Sequence, residues 1–279
     1  MFWPFRTASQ ISYALNEPSE ERIYPLFEFI ICMLAGIGAG VGTGIAGMSA
    51  SAVITPMLVT FLNMDAYSAI GIALASDVLA SAVSAYTYGK NKKIDIKNSY
   101  VMLISVLAFT LLFSWISKYV PHSTLGGMSV IGTLMVGIKF LVKPVMSEKT
   151  SLSGDSPKKR VTLSILCGAL IGSICGFVGA GGGMMMLLLL TSILGYELKT
   201  AVGTSVFIMT FTALLGAGSH FILGGAPDVF CLVVCVLSTL IFARLSALLA
   251  NKASPKALNR IVGGIMLSFG IVMKVFHFI

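Results

Sequence analysis

Charge is what this chain has least of. Only 11% of its 279 residues are Asp, Glu, Lys or Arg, 56% are hydrophobic, and the mean hydropathy is +0.93. A water-soluble fold with so little polar surface would precipitate, so the chain is expected in lipid. Histidine numbers only three, none deep in an apolar run. No H-E-x-x-H pair occurs, which removes the zinc-peptidase chemistry that pattern supports. Gly47-Met48-Ser49 resembles half of a serine-hydrolase turn but lacks the second glycine. No enzyme activity is expected, no catalytic residue is assigned, and no nucleotide-binding motif suggests direct use of ATP. The cysteines Cys32, Cys167, Cys175, Cys231 and Cys235 lie in apolar runs, and only Cys231 and Cys235 share a helix face. They read as free thiols, with no metal or cofactor expected. The net charge of +8 is scattered over loops between apolar runs, as topology signals are. Nucleic acid is therefore not an expected partner, whereas the bilayer is.

What the chain has in abundance is apolar runs, and they repeat. Gly36, Gly40, Gly44, Gly47, Leu58, Leu62, Ala69 and Gly71 recur without a gap, 132 positions on, as Gly168, Gly172, Gly176, Gly179, Leu190, Leu194, Ala201 and Gly203, and Asp65 recurs as Glu197. Duplicated units in a chain this apolar mark secondary transporters, whose substrate site tends to lie where the copies meet. The expected organisation is an exposed N-terminal tail over 1–25, repeat 1 over 26–143, a cytoplasmic linker over 144–160 and repeat 2 over 161–279. Five hydrophobic segments are read in each repeat, near 26–47, 52–62, 66–88, 99–119 and 124–143, then 161–179, 184–194, 199–223, 228–250 and 257–279. The second segment of each has about 11 residues and covers about 16 Å, around half the hydrocarbon thickness. Such a helix must start or stop inside the membrane, where irregular backbone is tolerated only against protein or a wet cavity.

Loop charges orient the copies. Lys90, Lys92, Lys93 and Lys97 against Asp95, the five basic and two acidic residues of 143–160, and Lys252, Lys256 and Arg260 mark cytoplasmic loops. The loop 224–228 carries no base and is expected outside. Since 90–97 and its counterpart near Asp228 then lie on opposite sides, the second copy is inverted, as an odd number of segments per copy requires. Both termini come out non-cytoplasmic. The expected fold is thus an all-α polytopic membrane protein of two inverted repeats, each with a short broken or re-entrant helix after a Gly-rich turn.

Those turns are where binding chemistry is expected. The first copy reads Gly44-Ile-Ala-Gly47-Met-Ser49-Ala-Ser51 and the second Gly176-Phe-Val-Gly179-Ala-Gly181-Gly182-Gly183. Consecutive glycines each cost a helix about 1 kcal/mol relative to alanine, so the chain is expected to unwind there. Unwound backbone N–H groups and the positive end of the next helix form a pocket suited to a small anion. Gly47, Gly179, Gly181, Gly182 and Gly183 are the candidate backbone, with Ser49 and Ser51 adding hydroxyls. The regular glycines, Gly36, Gly40 and Gly44 and their counterparts, read instead as close helix packing.

At this motif the chain resembles the TauE/SafE sulfite exporters, bacterial membrane proteins associated with moving sulfur oxyanions and organosulfonates. The shared pattern is a duplicated G-x-x-G-x-G-G-G followed at five positions by proline. The second copy keeps Gly176, Gly179, Gly181, Gly182 and Gly183 but has Leu188 at the proline place. The first keeps Gly44, Gly47 and Pro56 but has Ser49, Ala50 and Ser51 at the triple glycine. Gly203-Thr204-Ser205 is similar to the family's second signature and adds Thr204 and Ser205 to the candidate binding residues. The resemblance covers roughly 30–279 and implies an inner-membrane transporter of sulfite, thiosulfate or an organosulfonate.

One residue breaks the apolar rule. Asp77 is the only acid deep in any span, where an ionised carboxylate facing lipid would cost several kcal/mol. Ser81, Ser84 and Tyr88 follow on the same helical stripe, while the second copy has Met209, Ala213, Gly216 and His220 at the matching places. Asp77, Ser81 and Ser84 therefore read as a proton-coupling stripe beside the anion pocket, or else as a neutral acid hydrogen-bonded to a neighbouring helix. His220 and His277 are expected near the outer interface. The leading reading is export of a small anion by alternating access; the alternatives are an uncoupled facilitator or importer and, more distantly, an intramembrane enzyme.

Overall fold

The structure is a computed structural model and describes residues 23–117, 119, 157–178, 182–224, 227–254, 257, 260, 261 and 264. Eight helices are followed: α1 (Ile23–Ala46), α2 (Ser51–Leu62), α3 (Ala66–Lys90), α4 (Ile96–Ser117), α5 (Pro157–Val178), α6 (Gly182–Ser192), α7 (Leu198–Gly224) and α8 (Val229–Lys252). No strand occurs among the described residues. The expected segments at 124–143 and 257–279, the tail and most of the linker lie wholly or mainly outside them. α1, α3, α7 and α8 are long and apolar enough to cross a membrane, and α4 and α5 contain shorter apolar stretches, Ser99–Phe113 and Val161–Gly176. The chain is an all-helical, polytopic membrane protein.

The short helices are short for local reasons that recur in both copies. α2 ends where Asn63 turns left-handed (φ 49°) and the Met64 N–H reaches back to Leu58 O at 3.2 Å. After α6, Gly195 does the same (φ 66°), and the Tyr196 N–H reaches Leu190 O at 2.9 Å. Each is the hydrogen-bond pattern that closes a helix at a residue tolerant of positive φ. Asp65 then caps α3 by accepting from the Ser68 N–H at 3.0 Å. At 12 and 11 residues, α2 and α6 are about 18 and about 16 Å long.

Contacts between the helices set their directions. Along α1, Gly36 lies against Ser238, Gly40 against Thr239 and Ala243, and Gly44 against Ser246 and Ala247 of α8, so these two helices run parallel. A Cβ on Gly40 would stand 2.6 Å from Thr239 O and 2.9 Å from Ala243 N, an approach only glycine permits. Gly168 and Gly172 of α5 meet Ser105, Val106 and Phe109 of α4 in the same parallel sense. Between them α3 and α7 run antiparallel, with Gly71 beside Phe221, Leu74 beside Gly216 and Tyr88 beside Gly203. The helix pairs are unchanged when the halves are exchanged: the first helix of each half packs on the fourth of the other, and the two third helices pack together.

The molecule consequently has two dissimilar ends. The start of α1, the end of α2 and the start of α8 meet at one, where Phe27, Glu28, Leu62, Asn63, Met64 and Asp228 line a cavity of about 460 Å³. The end of α3 and the start of α7 meet at the other, joined by Lys93 Nζ and Glu197 Oε2 at 3.2 Å. α2 therefore returns to the end from which α1 came, and α6 returns to the end from which α5 came. The first end carries Glu28, Asp65 and Asp228; the second carries Lys90, Lys92, Lys93, Lys199 and Lys252 against Asp95 and Glu197. α8 turns Phe230, Val233, Leu237, Ile241, Leu245 and Leu248 outward at helical spacing, the apolar rim expected of a helix facing hydrocarbon.

Candidate functional site

The break between α1 and α2 is built by one glycine. Gly47 adopts φ +61°, its N–H donates to Thr43 O at 2.9 Å, and the Met48 N–H donates to Gly42 O at 3.3 Å. These two amides are consumed in stopping α1, so Gly47 contributes backbone shape here and not the open donor that its sequence suggested. A Cβ on Gly47 would also strike the Ser205 hydroxyl. The chain then reverses through Met48, Ser49 and Ala50, all buried, into the first turn of α2.

At that first turn lies Asp77, half-way along α3 and 1% exposed. Ser49 Oγ donates to Asp77 Oδ2 at 2.7 Å and stands 2.9 Å from Ser51 Oγ. Because the single Ser49 proton points at the carboxylate, Ser51 is the donor to Ser49, and the two hydroxyls form a chain directed at Asp77. The Ala50 backbone N–H also bears on the carboxylate, without reaching hydrogen-bond geometry to Oδ1, which has no partner. The positive end of α2 thus faces a carboxylate supplied by the protein itself. No cation is paired with it among the described residues, whose ion pair is the exposed Lys93–Glu197. Cys175 of α5 is buried close by, against the head of α6 at Gly182.

The second short helix arrives at the same place. Gly182 and Gly183 belong to the first turn of α6, whereas the sequence placed them in unwound chain; helix resumes as soon as the glycines can be packed. Gly183 sits so close to the first turn that a Cβ would meet Gly47 O and Met209 Sδ and stand 2.9 Å from Ser49 N. Gly182 is less confined, its Cβ position being 3.3 Å from Cys175 Cβ. Gly179 and Gly181 lie outside the described residues. Met209, the counterpart of Asp77 in the repeat, occupies the corresponding position at the head of α6. The two helix heads therefore touch at mid-depth, one faced by a carboxylate and the other by a thioether.

The remaining expected residues divide. Ser205 is buried beside Gly47 and donates to Val202 O of its own helix at 2.8 Å. Thr204 accepts from the Asp95 N–H at 3.0 Å and so fastens the 91–95 loop, at the basic end, to α7. Ser81 donates to the Asp77 carbonyl at 2.5 Å, bonding the backbone and not the carboxylate. Ser84 is buried with an unpartnered hydroxyl, and Tyr88 completes the stripe by donating to Gly44 O at 3.1 Å. Sequence reasoning missed Thr55, buried and unpartnered one turn along α2 from Ser51; its i+4 spacing from Ser51 was the available signal. It also placed His220 at the interface, but His220 is 1% exposed and stacked on Tyr67 with ring centroids 4.2 Å apart, because α3 and α7 seal that position between them.

Residues 32–273 match the family model described as Sulfite exporter TauE/SafE. The chain is also similar to "Probable membrane transporter protein YunE" of Bacillus subtilis (strain 168), 22% identical over 262 residues that cover 87% of this chain and 96% of that protein. A second relative from the same organism, "Probable membrane transporter protein YdhB", is 22% identical over 227 residues, covering 80% and 89%. No solved structure matches significantly.

Proposed function

The chain belongs to the Sulfite exporter TauE/SafE family, and from that premise we propose that it is a secondary transporter of the cell inner membrane that exports a small sulfur-containing anion: sulfite, thiosulfate or an organosulfonate. The observation that carries the reading is the meeting of the α2 and α6 heads at mid-depth around the buried Ser51–Ser49–Asp77 chain. Two helix N-termini converging on one point inside a membrane protein are suited to an oxyanion. The exchange-invariant helix pairing and the duplicated helix-closing turns support two inverted repeats, with α1–α2 and α5–α6 as re-entrant hairpins and alternating access between them. The charge separation supports an orientation with the basic end cytoplasmic and both termini outside. A basic mouth gathers an anion where its cytoplasmic concentration is highest, and the acidic end does not hold it back, which favours export.

In this reading Asp77 competes with the substrate. Its carboxylate occupies the Ser49 hydroxyl and the head of α2, the donors an oxyanion would use. Proton uptake on Asp77 removes that competing charge, so proton and anion favour each other's binding, and the coupling is reciprocal. Ser81 and Ser84 hold and flank the stripe along which the carboxyl moves, and Thr55 extends the donor face. Each coupled proton contributes about 1.4 kcal/mol per unit of pH gradient. Because proton and anion move together, an outward gradient drives export and an inward one opposes it, so export against an inward gradient runs on the anion's own concentration difference.

The test is flux of labelled sulfite, thiosulfate and taurine in sealed vesicles, with and without an imposed pH gradient. One of the three should be carried, and its net flux should follow the gradient. Asp77→Asn should keep anion exchange and lose the gradient response. A wild-type flux indifferent to pH, or Asp77→Asn with an unchanged response, would refute coupling and leave an uncoupled facilitator; no flux of any of the three would refute the substrate class.

A further inference from the structure

Far from this site, at the acidic end, the seam between α1 and α8 collects four metal-binding side chains from the two halves of the sequence. Cys231 Sγ donates to Glu28 Oε1 at 3.1 Å, and Cys32 Sγ donates to Cys231 Sγ at 3.2 Å. Asp228 caps α8 through Oδ1, 2.9 Å from the Cys231 N–H. Ligand atoms of Glu28, Asp228 and Cys231 all lie within 4.8 Å of one another. Both thiols are fully buried, whereas the two carboxylates open onto the cavity of about 460 Å³, which gives an ion a way in from the aqueous side. Neither carboxylate has an ion-pair partner among the described residues.

We propose that Glu28, Cys32, Asp228 and Cys231 form a binding site for a borderline-soft divalent cation of the Zn²⁺ kind. Two sulfurs and two carboxylate oxygens are a donor set that Zn²⁺ accepts in tetrahedral geometry, with bonds of about 2.3 Å to sulfur and about 2.1 Å to oxygen. A tetrahedron of that size has edges of roughly 3.4–3.8 Å. The sulfur–sulfur and sulfur–oxygen separations of 3.2 and 3.1 Å fall roughly 0.5 Å short of the corresponding tetrahedral edges, so the two thiols and the Glu28 carboxylate must spread by about that much to admit the ion. The hydrogen-bonded chain from Cys32 through Cys231 to Glu28 is then the proton-held form of the site. Binding replaces the two thiol protons by one cation, M²⁺ + 2 RSH → M(SR)₂ + 2 H⁺, with both protons released to solvent and no change of oxidation state. The two thiolates already neutralise the cation, so coordination by the two carboxylates leaves the site with a double negative charge at its water-facing side. The ion would tie the start of α1 to the start of α8, clamping one half of the molecule to the other where the parallel seam begins.

The test uses the purified full chain in lipid nanodiscs, kept reduced, and titrates Cd²⁺ and Zn²⁺ separately. Cd²⁺ should produce a thiolate-to-metal charge-transfer band saturating at one ion per chain, and Zn²⁺ should displace it. About two protons should be released per ion. Cys231→Ser should abolish the band and Cys32→Ser should roughly halve it, while Cys167→Ser leaves it unchanged. Glu28→Gln, which disturbs packing least, should keep the band and weaken affinity at least tenfold. Absence of a saturable band in the wild type, or a band that survives Cys231→Ser, would overturn the proposal. Neither result depends on whether the chain transports a sulfur anion.

Discussion

Replacing Gly183 by alanine tests the meeting of the two short helices with a single methyl group. The new Cβ would stand 2.9 Å from Ser49 N and against Gly47 O and Met209 Sδ. The methionine end can swing aside, since it is the flexible tip of an unbranched chain. The other two atoms are backbone in a turn fixed by the positive φ of Gly47 and its bond to Thr43, and they can yield only by displacing the head of α2. Separation to ordinary contact requires about 0.5 Å or more, and overpacking of this kind costs about 1–3 kcal/mol. Alanine returns up to about 1 kcal/mol of helix propensity at that position, so the net loss of stability should be modest, roughly 0–2 kcal/mol. The effect on function should be larger, because a shift of that size can stretch the Ser49–Asp77 bond of 2.7 Å to about 3.2 Å, past the usual range of O–H···O bonds, and weaken it. The assay pairs thermal unfolding of the purified protein with vesicle flux of the carried anion. Flux should fall at least tenfold in Gly183→Ala. Gly182→Ala, whose nearest neighbour is a side chain at 3.3 Å, should retain most of it, and Gly218→Ala, with nothing within 4 Å, should match or slightly exceed the wild type in stability. Equal flux in Gly183→Ala and Gly218→Ala would refute the claim that the two heads meet in a functional contact.

Ser49→Ala deprives the buried Asp77 of its side-chain donor and should cost about 1–3 kcal/mol, read as a lower unfolding temperature together with lost transport. Tyr88→Phe removes one bond to Gly44 O and should cost about 1 kcal/mol while leaving flux within twofold, since that bond fastens α3 to α1 away from the helix heads. Lys93→Met removes an ion pair whose side chains are 33% and 50% exposed; it should change stability by less than about 1 kcal/mol. In a background without native cysteines, a cysteine at exposed Asn63 should react with an impermeant thiol reagent added outside, and one at Lys93 only with a permeant reagent. The reverse pattern would invert the proposed orientation.

The candidate site was partly legible because its ingredients are rare. An aspartate in the middle of an apolar run attracts attention in any sequence, and Ser49 and Ser51 stood out against the repeat, which has glycines at the matching places of its second copy. Their mutual contact was not legible, since Ser49 Oγ reaches Asp77 across 28 residues and only the packing of α2 against α3 decides it. The thiol cluster was hidden for the same reason at greater range. Cys231 and Cys235 look like the natural pair on one helix face, yet Cys231 faces Cys32, 199 residues away, because α1 and α8 run parallel with the α1 glycines seated on Ser238, Thr239 and Ser246 of α8. Thr204 resembled a binding residue by motif, but its hydroxyl had another use that only the position of the 91–95 loop revealed.

By itself the sequence determined the class of the molecule. Apolar runs long enough to cross a bilayer, bases gathered in certain loops, and a glycine pattern repeated at fixed spacing follow from local chemistry: the cost of charge in hydrocarbon, the length of a helix turn and the conformational freedom of glycine. It also determined that two helices would be too short to span. Where those helices lead was decided only by tertiary packing. That α2 and α6 turn back to their starting ends, that their heads touch through Gly183 and the Gly47 turn, and that one head faces a carboxylate while the other faces Met209 all depend on contacts between separate helices, from 26 to more than a hundred residues apart. Such contacts leave no periodic trace in the chain, because a close approach needs only the absence of a side chain on one side and tolerates many residues on the other.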